Sequence, residues 1–196
     1  MKKLRLMILA AFAVVSMSAM AQEGFGSLYA QYNIASMKYS HDGHSDSESL
    51  NSVSLGYNYA MPLADATPLY LELGVAGQYL FKSEDGAKLN IASVKVPLSV
   101  LYAIEVSDGI TIDPFAGLYA RYNVWGEEKY GDDSFDIFKK YDGEDAWAKR
   151  FQFGFQAGVR VRFNAFMIGA SYTQDLSEFA KHTKINSIDL TLGVIF

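Results

Sequence analysis

Residues 151–163, FQFGFQAGVRVRF, carry the clearest pattern in the chain. Phe151, Phe153, Phe155, Ala157, Val159, Val161 and Phe163 fall on one phase of a period of two. Gln152, Gly154, Gln156, Gly158, Arg160 and Arg162 fall on the other. Such alternation predicts a β-strand with one apolar and one polar face. Soluble strands usually run about 5–6 residues, and a tilted strand needs about 9–11 to cross a bilayer, so this segment is long enough to span. A sheet face that met water would carry Lys, Glu and Thr. Glycine alternating with Gln and Arg instead suits the crowded inside of a narrow barrel, and the phenylalanines are expected to face lipid.

The same alternation recurs along the chain. It predicts further strands at 26–39, 49–61, 69–83, 88–106, 110 to about 130, 165–173 and 184–196, making eight in all. Pro97 inside the fourth implies a bulge or a local break. Short connections at 62–68, 107–109 and 164 alternate with mostly longer, polar ones at 40–48, 84–87, 126–147 and 176–183. That asymmetry is the one expected of tight periplasmic turns and exposed outer loops. The predicted fold is all-β, an eight-stranded antiparallel up-and-down transmembrane β-barrel. Tyr39, Tyr79, Phe81, Tyr122 and Phe151 at the loop-side strand ends, and Tyr57, Tyr59, Tyr102, Phe163, Phe166 and Phe196 at the turn side, predict two interfacial aromatic girdles.

Composition narrows the class further. Aromatic residues make up 14% of the chain, which favours strands over helices. The absence of cysteine removes disulfides, thiolate metal sites, a Cys nucleophile and an acylated N-terminal Cys. Met1–Ala21 has a basic start, an apolar middle and a small-residue site at Ala19-Met20-Ala21. It reads as a secretory signal peptide, leaving residues 22–196 as the outer-membrane barrel domain with Gln22 first. Without Lys2, Lys3 and Arg5 the balance is 14 basic against 22 acidic residues, a net charge of −8. No basic patch for nucleic acid remains.

At Val94-Lys-Val-Pro97-Leu-Ser-Val-Leu-Tyr102, followed by Asp113-Pro-Phe-Ala-Gly117-Leu-Tyr119, the chain resembles the Bacteroidota outer-membrane β-barrel family to which PorT-like proteins belong. The alternating C-terminal strand ending on Phe196 fits the same resemblance, and barrels of the OmpA, OmpX and OmpW type are a looser architectural analogy. The resemblance implies an eight-stranded barrel inserted by the outer-membrane assembly machinery. It implies no reaction.

Candidate chemistry lies inside the barrel and on its loops. The predicted inward phase sets Glu72, Glu105, Asp113 and Asp189 against Lys95, Arg121, Arg160 and Arg162. Four acids against four bases describe a neutral, ion-paired plug; the alternative is a selective polar conduit. In the loops, His41, His44 and His182 are weak candidates for a divalent metal site, since the first and last strands of a closed barrel are neighbours. The same histidines with Ser45 or Ser47 offer only a loose basis for rim catalysis, so neither a catalytic residue nor a cofactor is assigned. Trp125, Tyr130, Phe135, Phe138, Tyr141 and Trp147, in and around the acidic 126–147 loop, are contact candidates of the kind that anchor interfaces. The expected function is a non-enzymatic outer-membrane anchor whose loops serve surface interaction, adhesion or assembly of an envelope complex. Its expected partners are outer-membrane lipid, the assembly machinery and an extracellular or envelope protein. A narrow solute channel, a rim enzyme acting on lipid or peptide, and a soluble periplasmic barrel are the alternatives.

Overall fold

The computed structural model describes residues 24–41, 44–63, 67–84, 87–131, 133–140 and 146–196. The expected signal peptide and Gln22 lie outside them. The strands are β1 (Phe25–His41), β2 (His44–Pro62), β3 (Leu69–Glu84), β4 (Ala87–Tyr102), β5 (Ile104–Ser107), β6 (Ile110–Tyr130), β7 (Asp133–Asp136), β8 (Phe151–Phe163), β9 (Phe166–Asp175) and β10 (Thr183–Ile195). All but the short β5 and β7 form one antiparallel ring in the order β1, β2, β3, β4, β6, β8, β9, β10. The ladder from Ser27↔Ile195 to Tyr39↔Thr183 joins the last strand to the first. This is the eight-stranded up-and-down barrel that the alternation predicts.

The phase assignment also holds. Outward Leu55 and Leu192 are 63% and 66% exposed, whereas inward Ser52 and Asp189 are 0% and 1% exposed. The outward apolar row includes Leu28, Ile34, Leu98, Leu118, Phe153 and Ile168 and runs around the ring. Monomeric soluble proteins rarely expose apolar patches beyond a few hundred Å2. Turned to acyl chains instead of water, each such side chain contributes about 1.5–3 kcal/mol. Of the expected girdle aromatics, Tyr59 is buried, with Gly24 packed on its ring. Tyr39, Tyr79 and Phe151 at one end, and Tyr102, Phe163, Phe166 and Phe196 at the other, are exposed.

Pro97 produces the local break. The β3–β4 ladder lapses between Leu73↔Leu98 and Ala76↔Lys95 and resumes in the same register, as a residue with no N–H to donate requires. The bulge lies one turn of the ladder away on β6. There Ala92 faces Trp125 and Ser93 faces Asn123, so Val124 is the extra residue.

Two expectations are corrected. Within the expected 40–48 loop, residues 40–41 and 44–48 are the paired ends of β1 and β2, with Tyr39↔Asp46 and Lys38↔Ser47 in register. Above the membrane both faces of a strand meet water, so the ladder continues after the apolar alternation has stopped. β6 likewise climbs to Tyr130 against β4 and folds back as β7. Glu105 is the second correction. The chain breaks at Ala103, and residues 104–109 beyond it are all exposed, so Glu105 hangs at the turn end outside the lumen.

The start of β1, the end of β10, the end of β2, the start of β3 and the turns at 108–109 and 164–165 lie at one end of the barrel, and the tall hairpins, residues 137–140 and 146–150 and the 176–182 connection at the other. Short turns mark the periplasmic end of outer-membrane barrels.

Inside, Tyr119 lies across Gly154, its direct partner on β8. A Cβ at Gly154 would stand 2.5 Å from the Tyr119 ring and closer still to the Gln174 carbonyl oxygen. Gly154→Val is expected to lower the denaturant midpoint of the refolded barrel by the equivalent of about 1–3 kcal/mol. An unchanged midpoint would show that Tyr119 can swing aside.

Candidate functional site

The lumen is filled in two zones. The lower zone is ionic. Arg160 Nη1 and Nη2 donate to Glu72 Oε2 and Oε1 at 2.8 and 2.9 Å, and Asn58 donates to the same carboxylate at 3.1 Å. Arg162 grips Asp113 through two nitrogens, the longer contact being 2.8 Å, and stacks its guanidinium over Phe25. One layer up, Asp175 accepts from Arg121 and, at 2.6 Å, from the Tyr119 hydroxyl. Lys95 Nζ sits 4.3 Å above the Tyr119 ring. Asp189 accepts from Ser187 at 2.6 Å.

The charged groups come from six strands, because every inward position of a narrow barrel points at the same axis. The forked geometry of Arg allows the double contacts that buried carboxylates need. Of the eight charged residues expected in the lumen, Glu72, Asp113, Asp189, Lys95, Arg121, Arg160 and Arg162 come together there. Glu105 does not. Asp175 takes the place left for a fourth acid, so four acids still meet four bases. Its signal was the inward row Met167, Gly169, Ser171, Thr173, extended by one step. The space left among these side chains is a cavity of about 30 Å3 bordered by Lys95, Glu72, Arg160 and Gln156. That holds one or two water molecules and no larger solute.

The upper zone is apolar and was not foreseen. Inward positions near the outer end change from polar to Ala35, Met37, Leu50, Leu80, Ile91 and Ile185. Onto them fold Ile137 and Phe138 from the loop after β7, and Phe179 and Ala180 from the loop before β10. The two loops are stitched together. Ala148 donates its N–H to the Ile137 carbonyl at 3.0 Å, and Lys149 donates to that of Phe179 at 2.7 Å. Phe179 packs edge-on against Phe138 at 6.4 Å and against Trp147 at 5.8 Å. The turn that delivers Ile137 and Phe138 is capped by Asp136, whose Oδ1 accepts the Phe138 N–H at 2.9 Å. Gly126 lets it dock, since a Cβ there would collide with the Phe138 ring. The result is a hydrophobic cap over the ionic belt.

The contact candidates therefore divide. Trp125, Tyr130 and Phe135 are exposed on β6 and β7, and Trp147 is exposed on one side of its contact with Phe179. Phe138 is corrected from a surface anchor to a buried part of the cap. Its ring also lies under the Arg150 guanidinium at 4.7 Å. Tyr141 lies outside the described residues. His41 and His44 face each other at the tip of the β1–β2 hairpin, and their side chains are outside the description. His182 stands at the neighbouring rim with its ring edge-on to Tyr39. No group of three or more potential ligands is placed to hold a metal among the described residues. Beside His182, Glu178 is held below the usual carboxylate range, chiefly by a hydrogen bond from Lys149.

The family profile for the outer membrane protein β-barrel domain matches residues 7–196. The chain belongs to this family. It is an outer-membrane β-barrel protein, and the apolar band described above is its lipid-facing surface. No curated protein sequence matches it significantly. Among solved structures it is similar to Ail, the attachment invasion locus protein of Yersinia pestis, at 16% identity over 89% of this chain and 100% of that one, with a TM-score of 0.50. It is also similar to the outer membrane enzyme PagL, at 13% identity over 83% of this chain and 98% of that one, with a TM-score of 0.53. One of these neighbours is an attachment protein and the other an enzyme, and at such identities the likeness concerns the fold alone.

Proposed function

We propose that this protein is a non-conducting, non-enzymatic anchor of the outer membrane that displays a structured cap and a tall rim to the exterior for adhesion or assembly of an envelope complex. The observation that carries the reading is the double seal. A belt built on the ion pairs Arg160–Glu72, Arg162–Asp113 and Arg121–Asp175 closes the middle of the lumen, and an apolar cap closes its outer end. A conduit would need a continuous wet path, and the cavity among the described charged side chains has room for only a water or two. The exposed Trp125, Tyr130, Phe135 and Trp147 supply the aromatic anchors that partners seat upon. The attachment role named for Ail supports the same direction.

The motifs at Val94–Tyr102 and Asp113–Tyr119 favour the Bacteroidota branch of the family. The pattern of Met1–Ala21 favours delivery with a cleaved signal peptide and a mature barrel from Gln22, inserted by the assembly machinery.

Planar-bilayer recording of the refolded protein in molar potassium chloride is expected to show no unitary current steps. Stable, reproducible steps from the wild-type protein would replace the anchor with the channel reading.

A further inference from the structure

The barrel wall has a notch near its outer end. The β9–β10 ladder stops at Gln174↔Asn186 because β9 leans toward β8, where Leu176 and Ser177 donate to the Phe153 carbonyl at 2.9 and 3.2 Å. β10 continues past that point beside β1, and Ala180 bridges only its last residue, Thr183, on the other side. The divergence opens a pocket of about 340 Å3 bordered by Lys38, Gln174, Glu178, His182, Lys184 and Asn186.

Its chemistry is unusual for a strand pair. Lys38 and Lys184 are direct cross-strand partners, both outward and exposed. Like charges placed directly opposite each other destabilise a sheet, and among the described residues neither lysine is in an ion pair. Among the described residues the one acid bordering the notch, Glu178, is paired with Lys149 at 3.2 Å. The floor is preset: the Tyr172 hydroxyl donates to Gln174 Oε1 at 3.0 Å and accepts from Asn186 Nδ2 at 3.2 Å.

The height of the notch identifies the occupant. Tyr172 and Ile188 are cross-strand partners at the top of the apolar band, and Ile34 is paired to Ile188 on the other side. Lys38 and Lys184 stand two outward steps above, roughly 13 Å along the strand. On a strand tilted by about 40° that is roughly 10 Å of height, just above the headgroup layer, and from there the long lysine side chains reach down to headgroup phosphates.

We infer that the notch binds the phosphate-bearing headgroup of an anionic lipid in the outer leaflet. Lys38 and Lys184 provide the charge, Asn186 and Gln174 the amide hydrogen bonds, and Ile188, Leu190 and Tyr172 the surface along which its acyl chains descend. Lysine serves here as a point charge for phosphate. This inference does not depend on what the cap and rim contact.

The full barrel is reconstituted in phosphatidylcholine nanodiscs with and without phosphatidylglycerol, extracted in detergent, and its retained lipid counted by mass spectrometry. Wild-type protein is expected to retain phosphatidylglycerol over phosphatidylcholine, and the double variant K38Q/K184Q to retain roughly tenfold less of it. Thermal midpoints supply a second reading. In neutral micelles the double variant should melt at or above the wild-type temperature, because the repulsion is gone. In the anionic discs it should melt below it. Equal retention by the two proteins overturns the inference. So does an equal loss in K181Q, which removes an exposed charge outside the notch, or equal protection of the wild type by inorganic phosphate alone.

Discussion

Arg160→Met is expected to destabilise the refolded barrel by about 3–5 kcal/mol, read as a fall in the denaturant midpoint in micelles or vesicles. Glu72 is 3% exposed and holds two guanidinium contacts, so removing the arginine leaves a carboxylate buried without its counter-charge. The size of the loss comes from that stranded charge more than from the attraction itself, since desolvating an ion costs nearly as much as the pair returns. A double replacement separates the two. Glu72→Gln with Arg160→Met removes both charges and is expected to recover most of the stability, while Asn58 keeps a side-chain amide to bond. Arg121→Met should cost less than Arg160→Met, because Asp175 loses one guanidinium contact where Glu72 loses two, and its remaining donor, the Tyr119 hydroxyl at 2.6 Å, is closer than the Asn58 amide left to Glu72 at 3.1 Å. If the single Arg160 variant unfolds with the wild type, the belt contributes nothing and the lumen must be hydrated.

Phe179→Ala is expected to release the cap while sparing the barrel. The side chain is 1% exposed and joins Phe138 to Trp147, and truncating a buried Phe costs about 3–5 kcal/mol. The cap is held to the strands by a few loop hydrogen bonds, whereas the barrel is held by continuous ladders. The loss should therefore appear as local opening and not as global unfolding. Trypsin is expected to cut after Lys149 and Arg150 much faster than in the wild type, with the fluorescence of Trp147 shifted to the red, while the gel mobility shift on heating keeps its midpoint. A lowered barrel midpoint with unchanged proteolysis would mean that the cap and the wall unfold as one unit.

The barrel was legible because lipid imposes one rule on every outward position for the full width of the membrane. Residues 151–163 show that rule without exception, and the other seven strands repeat it. The rule lapses where the strands leave the bilayer. Residues 40–41 and 44–48 look like loop for that reason alone, although their ladder is unbroken. The ionic belt was legible in part. Inward charges stand out against Gly and Ser, but Asp175 was missed by ending β9 two residues early, and Glu105 was drawn in by carrying the phase across the break at Ala103. The cap was not legible. Met37, Leu50, Leu80 and Ile91 stand on the inward phase of otherwise polar rows, where they read as lapses in the alternation. Nothing local to Ile137 or Phe138 says that they fold back onto those four residues. That information lies in the pairing of distant loops, which a period of two does not encode.

The strands also end at different heights. β8 starts at Phe151 opposite Tyr122, yet β6 goes on to Tyr130, roughly 26 Å farther along its axis. Seen from the surrounding medium, the molecule thus has a high shoulder and a low one. A large visitor such as an antibody or a neighbouring cell's polymer touches the high shoulder first and meets Tyr130 and Phe135. An amphiphile diffusing in the plane of the membrane passes beneath that shoulder and reaches only the low side, beside Lys184. Substitutions at Tyr130 or Phe135 are thus expected to leave lipid retention at the notch untouched, and K38Q/K184Q to leave contacts at the high shoulder untouched.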